Sequence, residues 1–149
     1  MLGTFENDQP KIEIEVKGVN GKPKKVIALV DSGFNGYLTL PYVEAFPLGL
    51  VLKGIQSNTL ADGSASSHLV CIGEICVDKK CVETTIDIQP ANIILLGTKL
   101  LKELGKTFLL DSLNGKVEIT DSRKKSSRDD AQPRRKKGIG YENHLRQNG

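Results

Sequence analysis

Val26-Ile27-Ala28-Leu29-Val30-Asp31-Ser32-Gly33 is the stretch whose reading decides the fold. Its first five residues form an apolar run too short for a typical helix, and their branched side chains suit a strand buried on both faces. The run ends on a carboxylate, a hydroxyl and a glycine, so Asp31 is delivered to a tight loop at the mouth of a β core. By itself such a triplet reads as a turn, because Asp and Ser bond nearby amides and Gly accepts left-handed geometry. The flanking segments decide whether it is more than that.

Upstream, residues 11–16 alternate, with Ile12, Ile14 and Val16 on one face, which is the period of a half-buried strand, and Asn20-Gly21 then marks a turn. Downstream, Tyr37-Leu38-Thr39-Leu40 reads as extended. Pro41 is placed to start a short helix through Ala45, with Pro47 ending it. Residues 55–88 return to strand patterns, broken by reversals at Asp62-Gly63 and at Asp78-Lys79-Lys80. A buried run at residues 93–96 closes on Gly97, after which Thr98 caps a helix through Leu104 that stops at Gly105. Residues 107–110 and 116–119 flank Asp111-Ser112-Leu113-Asn114-Gly115, a hairpin loop in which Asn-Gly favours positive φ. The pattern predicts an all-β chain whose sheet closes on itself as a barrel, with one short C-terminal helix.

Composition bounds the rest. The 149 residues suit one domain, and the 5% aromatic content leaves the core to aliphatic side chains. The net charge of +3 divides unevenly: residues 1–120 carry 12 Lys+Arg against 14 Asp+Glu, and residues 121–149 carry 9 against 4. We therefore expect an N-terminal arm at 1–10, a folded domain at 11–120 and a basic tail at 121–149 too poor in apolar residues to order itself. The apolar runs are far shorter than the ~20 residues that span a bilayer, so no membrane association is expected. The N-terminus lacks a basic start and an apolar stretch, which predicts a cytoplasmic protein. Cys71, Cys76 and Cys81 are odd in number, evenly spaced and form no Cys-x-x-Cys pair, so they read as reduced structural thiols with no metal, and no cofactor is expected. No tandem repeat is present.

Four segments, in order, resemble the retropepsin-like aspartic proteases of bacteria and archaea: residues 28–33, ending in Asp31-Ser32-Gly33; Leu38-Thr39-Leu40-Pro41; Ala61-Asp62-Gly63-Ser64; and Ile94-Leu95-Leu96-Gly97 running into Thr98-Lys99-Leu100-Leu101. The resemblance covers residues 11–120. It implies that Asp31 is the catalytic aspartate and that Leu95, Leu96 and Gly97 pass beside its loop as support. Ser32 matches the hydroxyl residue that braces paired loops across a dimer axis, and Gly33 matches the glycine that allows close backbone approach. Ala61, Asp62 and Gly63 fall where a flap covers bound peptide. This segment is poorer in Gly than retroviral flaps, and an anionic tip there favours basic peptides.

Peptide hydrolysis needs one carboxylate to deprotonate water and a second carboxyl to protonate the carbonyl, and two carboxylates about 3 Å apart share a proton. The chain holds one such triplet. A symmetric homodimer that pairs two copies of Asp31 is therefore expected, acting on a peptide or protein substrate. His68 lies outside these motifs and reads as structural or surface. Two alternatives stay open. One is a catalytically silent peptide-binding or dimerisation module on the same fold. The other is a weak nucleic-acid tether through residues 121–149, where clustered Lys and Arg neutralise phosphates without interleaved aromatics.

Overall fold

A computed structural model describes residues 1–124. Expectations for residues 125–149, including the basic tail and its nucleic-acid tether, lie outside the described residues.

The chain opens with β1 (Thr4–Glu6), β2 (Gln9–Lys17) and β3 (Lys24–Val30), then leaves β3 through the Asp31 loop to reach β4 (Thr39–Pro41). Helix α1 (Tyr42–Ala45) and a 3-10 turn (Phe46–Leu48) lead into the long strands β5 (Val51–Thr59), β6 (Ala65–Val77) and β7 (Lys80–Gln89). The two-residue β8 (Leu95–Leu96) precedes helix α2 (Thr98–Glu103), and β9 (Lys106–Asp111) and β10 (Lys116–Asp121) finish the fold. Pro47 sits inside the 3-10 turn and does not end it; the chain reverses two residues later at Gly49, whose φ is 64°.

Eight strands form one sheet in the order β4-β7-β6-β2-β3-β8, with β1 added to β2 and β5 to β6. Neighbours pair antiparallel except β3 with β8 and β4 with β7, which run parallel. The expected closed barrel is not found. The two ends of the sheet, β4 and β8, form no ladder; the backbone pairing between them is a single bridge from Leu38, just before β4, to Leu96. Closure needs a continuous ladder between first and last strands, and strands of three and two residues are too short to make one.

The alternation of β2 is as read: Ile12, Ile14 and Val16 are all buried. With Val26, Ala28, Val30, Ile75, Ile86 and Ile88 they form an aliphatic core, each large side chain contributing about 1.5–3 kcal/mol relative to exposure. The expectation that β3 is buried on both faces is corrected. Val26, Ala28 and Val30 point inward, but Ile27 is 54% exposed and Leu29 half-buried, because no layer covers that face among the described residues.

Residues 1–10 are built into the fold: β1 pairs with the start of β2, and Gly3 donates its amide to Val117 O. The folded unit also runs past Thr120. The Lys106 ammonium, with its side chain 1% exposed, reaches Asp121 Oδ1 at 2.8 Å, and Ser122 N donates to Gly105 O at 2.8 Å. The thiol expectation is corrected as well. Cys76 and Cys81 face each other across the β6–β7 hairpin and are joined by a disulfide, while Cys71 is free and buried. The five-residue separation hid this, because the tight turn at Asp78-Lys79, both with positive φ, folds the two positions into one cross-strand pair. No helix of the described residues is long and apolar enough to cross a membrane.

Candidate active site

Asp31 stands where β3 leaves the sheet. Its amide donates to Leu96 O at 3.0 Å, and two residues earlier the Leu29 amide donates to Ile94 O at 2.8 Å, so the parallel β3–β8 pairing carries the chain into the loop in a fixed register. The loop then folds on itself. Phe34 N donates to Asp31 O at 3.1 Å, and Gly33 N donates to Asp31 Oδ1 at 2.9 Å. This second bond leaves Oδ2 as the oxygen without a bond to the loop.

Residues 95–98 underlie the loop. Gly97 N donates to Tyr37 O at 2.9 Å and Thr98 N to Phe34 O at 3.0 Å, while Leu95 N donates to the buried Thr39 Oγ1 at 3.0 Å. Gly97 is required sterically. A Cβ there would collide with Gly36 O and lie 2.7 Å from Phe34 O. Leu96 is fully buried and Leu95 half-buried. Thr98 is the first residue of α2 and not its cap; Gly97 takes the cap position, and Thr98 Oγ1 points to Phe34 O at 3.4 Å.

Ser32 is exposed, and its hydroxyl makes no hydrogen bond among the described residues. Gly33 has no positive φ, and the nearest atom to a Cβ there would be Asp31 Oδ1 at 3.3 Å. Within one chain, therefore, neither residue meets the close approach that the resemblance implies for it.

Ala61, Asp62 and Gly63 form the tip of the β5–β6 hairpin, closed by Leu60 N to Ser64 O at 2.7 Å and by Gly63 at φ 84°. Asp62 Oδ1 accepts both Ser64 Oγ at 2.6 Å and Ser64 N at 2.9 Å. These two bonds favour the charged form and hold the Asp62 carboxyl below its ordinary pKa. The tip is thus an anion already engaged with its own turn.

Sequence reading missed the neighbourhood of His68. The imidazole is buried on β6, with Nε2 3.6 Å from Asp87 Oδ1 on β7 and no hydrogen-bond partner among the described residues. The only sequence signal was strand alternation, which cannot say what a neighbouring strand brings opposite. Glu74, Cys76 and Cys81 place ligand-type atoms within 4.8 Å of one another, but the disulfide occupies both sulfurs.

Neither the family models nor the curated proteins match this sequence. Solved structures do match. The EIAV protease, in a complex with an inhibitor, is 16% identical with a TM-score of 0.52, covering 70% of this chain and 95% of that one. The simian foamy virus protease is 18% identical with a TM-score of 0.46, covering 62% and 94%. The likeness to the EIAV protease is one of fold: this chain has a mostly β, retropepsin-like architecture.

Proposed function

We propose that the chain is an aspartic endopeptidase of the retropepsin-like group of bacteria and archaea, in which two copies of Asp31 meet in a homodimer and activate a water against a peptide bond. The observation that carries this reading is the placement of Asp31. Its carboxylate sits on a loop held by four backbone bonds to residues 94–98, at the open seam of a sheet whose fold is that of a viral protease. In the paired site one Asp31 is ionised and takes a proton from water, and the other is protonated and donates to the carbonyl oxygen. The exposed Ser32 hydroxyl and the exposed Gly33 are then the groups that meet the partner loop. Leu95, Leu96 and Gly97 position the loop, and Ala61, Asp62 and Gly63 form the flap.

A second reading has its own observation. Asp31 Oδ1 closes an ordinary Asx turn on Gly33 N, which serves a silent peptide-binding module equally well. Purified wild type and Asp31→Asn, digested against a peptide library from acidic to neutral pH with sedimentation in parallel, separate the two. The peptidase reading expects cleavage by a dimer with an acidic optimum, lost in the variant. A folded monomer that cleaves, or a variant that cleaves like wild type, overturns it.

A further inference from the structure

A cavity of about 340 Å³ opens beside the Asp31 loop; β6 and β7 supply part of its lining, and the rest comes from three segments that border the proposed peptide path. Gly36 and Tyr37 are the residues that leave the loop toward β4. Lys53 and Gln56 lie on β5, one arm of the hairpin that carries the Asp62 tip. Lys99 belongs to the first turn of α2, two residues after Gly97. A peptide running between hairpin and loop passes the mouth of this cavity.

Its charge is uneven. Lys99 Nζ stands 5.5 Å from the centre of the Tyr37 ring, which steers the ammonium along the cavity wall. Among the described residues no carboxylate lies within ion-pair distance of Lys53 or Lys99, although six other cationic groups of the fold are so paired. The one acidic group lining the cavity, Asp87, faces the buried His68 imidazole at 3.6 Å, and its backbone amide is tied to Leu38 O. Two lysines without an ion-pair partner among the described residues, carried by two separate elements, therefore line a space whose single carboxylate already faces an imidazole. The Gln56 amide adds a neutral donor.

We infer that this cavity is a side-chain subsite for an acidic residue of the bound peptide, with Lys53 and Lys99 as its specificity-determining residues. The inference rests on the peptide-cleaving reading for the path of the substrate. It reverses the preference for basic peptides expected from the flap tip, because the Asp62 carboxylate accepts two bonds from Ser64 whereas neither lysine has a carboxylate partner among the described residues.

The test uses a peptide library in which Glu, Gln and Lys are scanned through every position. Cleavage is followed with wild type, and binding by fluorescence anisotropy with Asp31→Asn. At one position Glu should exceed Gln about five- to tenfold in both kcat/KM and affinity, as two partly exposed ion pairs allow, with the ratio falling as salt is raised. Lys53→Met/Lys99→Met should bring the ratio close to one, and Lys53→Arg/Lys99→Arg should keep it. No acidic preference at any position, a preference that survives the Met pair, or a preference for Lys anchored on Asp87 overturns the subsite. Acid-selective binding without any cleavage by wild type sinks the peptidase reading and leaves the subsite standing. Cleavage without acid selectivity does the reverse, and a library with neither binding nor cleavage sinks both.

Discussion

The Asp31 turn and the Asp62 turn are built from the same local bond and are put to different uses. In each, Oδ1 accepts the amide two residues on, Gly33 N in one and Ser64 N in the other, both at 2.9 Å. At the hairpin tip the remaining contacts are local, with Ser64 Oγ on the same oxygen and exposed neighbours. At Asp31 one further bond is local, Phe34 N to Asp31 O, and the others are distant in sequence, since residues 94–98 bond to the chain on both sides of the turn. An Asx turn is thus a common local solution, and what distinguishes Asp31 is that tertiary structure fixes where its carboxylate points.

The largest expected difference is in activity. Asp31→Asn should lower peptide cleavage by at least about 10²-fold, the scale of a lost acid–base group, with an unchanged melting temperature because Asn keeps the turn. Asp62→Asn, measured in the same assay, should stay within about threefold of wild type, its effect confined to the flap. Equal losses in the two variants would erase the distinction.

Backbone crowding sharpens the contrast. Gly97→Ala should cost about 1–3 kcal/mol in chemical denaturation, because the added methyl meets Gly36 O and Phe34 O, backbone atoms that cannot yield without moving the Asp31 loop. Gly63→Ala should cost about 1 kcal/mol, from the positive φ alone, since nothing lies within 4 Å of a Cβ there. Activity should fall more in Gly97→Ala than its stability loss explains.

The disulfide offers a third measure, away from both turns. Cys76→Ser/Cys81→Ser should lower stability by no more than about 2 kcal/mol, the chain-entropy value for so short a loop, because the β6–β7 ladder already holds the hairpin. Cleavage should not change.

The smallest effect is a titration. Ser64→Ala removes the largest cause of the lowered Asp62 pKa, so the carboxyl, followed by NMR, should move up toward 3.8. A lowered folded pKa contributes stability above the unfolded value that is lost as pH falls through the folded one. The variant should therefore lose a little of its acid dependence below pH 3.8, and an unmoved Asp62 would show that the Ser64 hydroxyl bond does not form in solution.

Much of this contrast was written in local pattern. Alternation at Ile12, Ile14 and Val16 determined one face of β2, and glycine-bearing turns at Asn20-Gly21, Asp62-Gly63 and Asn114-Gly115 determined where strands reverse, because both signals act over a few residues. The order of the Asp31 triplet, the Asp62 turn and the run ending at Gly97 carried the retropepsin-like resemblance, and the viral-protease fold agrees with it. Tertiary structure alone decided that the sheet stays open between β4 and β8, that Ile27 faces outward, that Cys76 meets Cys81 and that Asp121 belongs to the fold through Lys106. It also decided that Lys53 and Lys99, 46 positions apart in sequence, share one cavity. Each of these depends on which strand or helix lies beside another, a quantity set by long-range pairing and packing and carried by no local run of residues.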